Sequence, residues 1–168
     1  MKTLISIDEI KSSTIINKNV DDTYILDAIE TAQTIKLQQL IGTPLLDTLL
    51  SSIDDNGNWN GSEDNFKLVT EYIQPYLKRQ IVSDIIIPLN YKIRNEGAIQ
   101  ISGENTNVPS QKDAIFVKEH YENEASFYAI RLNKYLASNC SKYPNYISST
   151  NGGINANPKA KNTVLFLK

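Results

Sequence analysis

Residues 51–66, SSIDDNGNWNGSEDNF, gather enough oxygen-bearing side chains to suggest a cation site. With Ser52 as position 1 of a calcium loop, Asp54, Asn56, Gly57 and Glu63 fall at positions 3, 5, 6 and 12. Such a loop replaces the ion's water with charged oxygens and opens on a carboxylate. Here a serine takes the first place and an asparagine the fifth, leaving two acidic ligands. The eighth position, usually a small aliphatic that pairs with a sister loop, is Trp59, and the sequence has no sister loop. The stretch reads better as a polar connection between helices, with Gly57 and Gly61 supplying turns. No metal and no cofactor are expected.

His120 is the single histidine and Cys140 the single cysteine. Zinc needs several such ligands at close spacing, and along a helix these two stand about five turns apart. As a general base His120 would have to act from the middle of a helix among Glu119, Glu122 and Glu124, so a solvated or half-buried histidine is the simpler reading. No G-x-S-x-G elbow presents a nucleophile. GTPLL and GENTN lack the lysine and glycine spacing of a phosphate loop. The chain is not expected to be an enzyme.

Net charge is −2, from 17 Lys and Arg against 19 Asp and Glu, which draws the chain neither to nucleic acid nor to an anionic membrane. Lys78, Arg79, Lys92 and Arg94 put cations along one stretch, but Asp84 and Glu96 dilute them into a solvated face. The Gly42–Pro44 corner leads into leucines rather than a recognition helix. No apolar run approaches the roughly 20 residues of a membrane span. MKTLISIDEIKSS meets Asp8 and Glu9 without an uninterrupted apolar core, unlike a secretory signal. A lone cysteine cannot form an internal disulfide and suits a reducing cytosol. At 168 residues, 40% hydrophobic, the chain has material for one domain with a real core.

These side chains need elements to carry them. Residues 21–41 predict a helix that Asp21 caps, with Val20 and Ile25 at hydrophobic-staple positions. Its apolar stripe runs from Ile25, Ile29 and Ala32 to Leu37, Leu40 and Ile41. Gly42 stops it, and Thr43–Pro44 starts a short helix with Leu45, Leu46, Leu49, Leu50 and Ile53 on its buried face. Ser62 opens a second long helix with Phe66, Val69, Ile73, Leu77 and Ile81 on one side, bent at Pro75, Pro88 or both. Gly97 ends that run, and Ala98–Ile101 alternate as a short strand or extended loop.

Pro109 and Ser110 start the longest helix, with Asp113 placed for a capping box. Ala114, Tyr121, Tyr128 and Tyr135 recur every seven residues, and Val117, Ala125 and Leu132 fill between them. Reaching about Ser138, it is on the order of 40 Å long and must pack along the other long helix. The expected fold class is all-α: a helical bundle with two long antiparallel helices, a short extended or β-hairpin loop near 97–108, and an extended C-terminal arm. Residues 1–20 form an N-terminal segment, 21–138 the bundle and 139–168 the arm. The arm is rich in Asn, Ser, Gly and Lys, too polar to order itself, and its VLFLK ending has no strand partner within the chain. Its partner is expected on another chain.

Three stretches together carry a resemblance: AIETAQTIKLQQLIGTPLLDTLL, YIQPYLKRQIVSDIIIPLNYKIRNEGAIQ and EASFYAIRLNKYL. Over about residues 20–146 the chain resembles the head–tail connector (adaptor, or ring) proteins of tailed bacteriophages, most closely those of crAss-like phages. The resemblance implies a virion subunit assembled in the host cytoplasm and sited at the head–tail interface. It implies a ring, usually of twelve copies, docked beneath the portal protein and joined to neighbouring tail or connector ring proteins. Genomic DNA would pass through the channel without sequence-specific binding. It also implies that RNEGAIQIS (94–102), with Arg94, Gly97, Ile99 and Ile101, is an extended loop meeting a neighbour or the portal. Outside its reach, Val164, Leu165, Phe166 and Leu167 are expected to add a strand to an adjacent subunit. The alternative from another class is a small helical protein-binding regulatory module, with a calcium sensor third.

Overall fold

The computed structural model describes residues 2–94, 97–100, 111–146 and 156. It is mainly helical, and three of its helices begin where a side chain accepts an orphaned backbone N–H. Ser6 Oγ accepts from the Glu9 amide at 3.1 Å and starts α1, Ile7–Ser13. Asp21 accepts from the Thr23 amide at 2.9 Å and starts α2, residues 22–41. Gly42, at φ 80°, ends α2 in a conformation open to glycine and opens α3, Thr43–Ser51, with Pro44 in its first turn. Ser62 accepts from Asn65 and starts α4, residues 63–90. The longest helix, α5, is Gln111–Ser138, about 42 Å at 1.5 Å per residue.

Two of these helices contain a wide turn. In α2 it spans Ala32–Leu37, where the Gln38 amide reaches back five residues to the Gln33 carbonyl. In α4 it spans Val69–Ile73, where the Gln74 amide reaches Val69. The second lies just ahead of Pro75, whose ring crowds the preceding turn and which lacks a donor, so a widened ladder there relieves the clash. Beyond Pro88, α4 stops at Asn90 instead of continuing to Gly97. Two short strands follow, β1 Tyr91–Arg94 and β2 Gly97–Gln100, paired antiparallel with Tyr91 opposite Gln100 and Arg94 opposite Gly97. Residues 101–108 of the loop expected near 97–108 lie outside the described residues.

Helix α4 packs against both α2 and α5. Its side chains are buried around much of its girth: Tyr76, Leu77, Gln80, Ile81, Val82, Ser83 and Ile85. Three contacts fix α5 antiparallel to it. Tyr143 donates to the Asp64 carbonyl at 2.9 Å, Tyr72 stacks on Tyr135 at 3.9 Å, and Arg79 pairs with Glu124 at 2.9 Å. Ala125 and Ala129 on the inner side of α5 are buried, and their small side chains let the backbones approach. Together with Ile25, Ile29, Leu49, Ile73 and Leu132 they belong to one core, in which each fully buried large aliphatic contributes about 1.5–3 kcal/mol.

The core extends past both ends of the 21–138 segment. Leu4, Ile5, Ile10 and Ile16 are buried in it, as are Tyr143 and Tyr146. Residues 2–5 lie as a strap whose backbone is gripped by side-chain amides. Gln33 Oε1 accepts from the Leu4 amide at 2.9 Å while its Nε2 donates to the Lys2 carbonyl at 3.1 Å. Gln74 Nε2 donates to the Leu4 carbonyl at 3.0 Å. Both glutamines belong to the wide turns, the first within one and the second directly after the other.

Two expectations about the helix faces need correction. Val117 is exposed and does not fill between the tyrosines, although Ala114 before it and Ala125, Ala129 and Leu132 after it are buried. Phe66 is also about half exposed, tilted against Trp59 at 5.9 Å, while Leu68, Val69 and Ile73 take the buried side.

Candidate interaction surface

The 51–66 stretch is a turn held by its own acid. Asp54 Oδ1 accepts from the backbone amides of Asn56 and Asn58, each at 2.8 Å, and Oδ2 accepts from Asn58 Nδ2 at 3.0 Å. The Asn58 side chain and then its amide hold the Asp54 carboxyl below the usual carboxylate range. Gly57, at φ 84°, takes the turn position that an L side chain rarely adopts. The carboxylate that a calcium loop would aim at an ion is thus turned onto the loop's own backbone. Among the described residues no group of three or more His, Cys, Asp or Glu side chains is arranged to hold a metal. His120 is exposed on α5, with Nε2 at 3.3 Å from Glu124, and Cys140 is exposed beyond its end.

The strap and this turn border an open groove of about 460 Å3, with Lys2, Asp54, Asp55, Trp59 and Phe66 among its walls. Lys2 is held there by the Ile53 carbonyl at 2.5 Å and lies 3.5 Å from Asp55.

The longest helix presents two apolar sides. At 100° per residue, Ala114, Ala125, Leu132 and Leu136 share one side and are buried. Tyr121, Tyr128 and Tyr135 flank that side and are half-buried against the core. Phe116, Phe127 and Ile130 share the opposite side and stand in solvent, Phe116 at 73% and Phe127 at 65% exposure. Lys134 continues this outer stripe, and Arg131 borders it with its guanidinium 4.8 Å from the Tyr72 ring. A sequence reading that follows the tyrosine repeat passes over these residues. Their signal is a second spacing, at positions 116, 127 and 130, on the far side of the same helix. Leu26 and Ile35 on α2 are likewise about half exposed.

Of the residues expected to meet a neighbour, Arg94 and Gly97 are opposite each other in the β1–β2 pair, and Ile99 is opposite Lys92. Ile101, Val164, Leu165, Phe166 and Leu167 lie outside the described residues. No described helix is long and apolar enough to cross a membrane.

Residues 37–156 match the model of a family of unknown function, DUF6712, and the chain belongs to that family. No curated protein and no solved structure matches it.

Proposed function

We propose that this chain is a structural virion protein: a ring-forming head–tail connector of a tailed bacteriophage that docks beneath the portal, joins capsid to tail and extends the DNA channel. The observation that carries this reading is the solvent-facing stripe of Phe116, Phe127 and Ile130 on the helix whose other side is already packed. Large apolar side chains grouped on one exposed face mark a surface that another molecule covers. The resemblance over residues 20–146 supplies the kind of assembly.

In this reading assembly is the mechanism. Each subunit offers one surface to the copy before it and a different one to the copy after it, and the portal provides the template on which the circle closes. The 94–102 segment, with Arg94, Gly97, Ile99 and Ile101, meets a neighbour or the portal. Val164–Leu167 add a strand to an adjacent subunit.

The test is the mass and shape of the assembled particle. Purified protein, with and without portal protein, is followed by light scattering and imaged, and twelve-fold rings are expected on the portal. A protein that stays a single copy and binds one partner protein one-to-one would favour the small helical regulatory module instead.

A further inference from the structure

Two outer helices carry exposed apolar side chains, and the charges around them are opposite in sign. On α2, Leu26 and Ile35 stand exposed beside the exposed acids Asp27 and Glu30. On α5, Phe127 and Ile130 stand exposed beside the exposed bases Arg131 and Lys134. Among the described residues none of these four charges has an ion-pair partner, although Lys36–Asp84 and Arg79–Glu124 lace the contacts that α4 makes with α2 and α5. Helix α4 packs against both α2 and α5, so each outer helix already has its inner side covered.

We propose that copies of this chain join by seating the outer face of α5, centred on Phe127 and Ile130, on the outer face of α2 of the next copy, where Asp27 and Glu30 lie between Leu26 at one edge and Ile35 at the other. The occupant of each face is a second copy, and the proposal rests on the ring reading above. Arg131 and Lys134 then lie against Asp27 and Glu30, which fixes the order of the two faces while the aromatic and aliphatic side chains supply the burial. A seam between two α5 helices is the competitor, since Glu119 near the other end of α5 offers an acid to Arg131. It leaves Leu26, Ile35, Asp27 and Glu30 without a counterpart. It also closes on a pair, whereas two different faces repeat around a ring.

The experiment uses the full chain and two double variants altered only at exposed positions. Phe127→Asp/Ile130→Asp spoils the α5 face, and Leu26→Asp/Ile35→Asp spoils the α2 face. Circular dichroism checks that each keeps wild-type helicity, and sedimentation follows mass at rising concentration. Each variant alone is expected to remain a single copy, and an equal mixture to stop at a heterodimer, because one intact face of each kind remains. Arg131→Glu/Lys134→Glu should weaken self-association by about tenfold or more, and adding Asp27→Lys/Glu30→Lys to the same chain should restore it.

Wild-type rings that neither face variant disturbs overturn this inference and leave the ring reading standing. Loss of assembly with the α5 variant alone, the α2 variant behaving as wild type, identifies the α5 seam and overturns it as well. A wild-type chain that stays a single copy up to its solubility limit also overturns it, and images on portal protein then decide the ring reading separately.

Discussion

Asp84 sits where α2 meets α4. Its Oδ1 is 2.5 Å from Lys36 Nζ and accepts from Gln80 Nε2 at 3.1 Å. Burial pushes its carboxyl above the ordinary value of 3.8, and the Lys36 charge opposes the shift without cancelling it. Between the ordinary value and the raised one, the folded protein keeps a proton that the unfolded chain has released, so this residue's contribution to stability falls as pH rises through that window. Asp84→Asn has no such proton. The stability of the variant relative to wild type should therefore climb with pH across that window and level off above it. Chemical denaturation at a series of pH values from below 3.8 to neutral measures this, and a difference that stays flat would show an ordinary carboxylate.

At the scale of elements, the strap over α2 and α4 tests how side-chain amides can hold an extended chain. Gln33→Met keeps length and shape but leaves the Leu4 amide and the Lys2 carbonyl without their partner, at a cost of about 1–3 kcal/mol. Residues 2–20 should then lose protection in hydrogen exchange, while the α4–α5 contact keeps its own. Unchanged protection at Leu4 and Ile10 would mean that apolar burial alone secures the strap.

The same elements show what a sequence can and cannot reveal. The start of α2 at Asp21, the stop at Gly42 and the start of α4 at Ser62 were legible, because a cap is made by residues a few positions apart. The buried stripe of Ile25, Ile29, Leu77 and Ile81 was legible from its spacing. The strap was not: its anchors lie 29 and 70 residues away in sequence. Nor was the outer stripe of α5, since a helix apolar on two sides gives no periodic pattern that tells the packed side from the open one. The heptad of tyrosines drew attention to one flank only. Of the candidate surface, the resemblance indicated an extended loop over 94–102, whereas exposure was needed to find Phe116 and Phe127.

For the whole molecule, the boundary between body and arm follows from burial. Tyr143 is almost wholly buried, with its hydroxyl on the Asp64 carbonyl and 3.3 Å from that of Tyr135, and Asn145 reaches Thr48 at 2.8 Å. Ala156 also packs against the core. Deleting residues 157–168 should consequently leave helicity and melting temperature unchanged while weakening ring assembly. Scattering and thermal denaturation of the shortened chain check both halves, and assembly equal to that of the full chain would remove Val164–Leu167 from any role in it.

The wide turns at Ala32–Leu37 and Val69–Ile73 bear on how this chain tolerates changes in length. A helix that takes in an odd residue as a local swelling keeps both flanks in phase with their neighbours. Here each swelling has become a fixture, placing a glutamine where it can tether the N-terminus. Excising one residue from either would straighten the rod with its flanks still in step, and the strap would lose one of its two glutamine tethers.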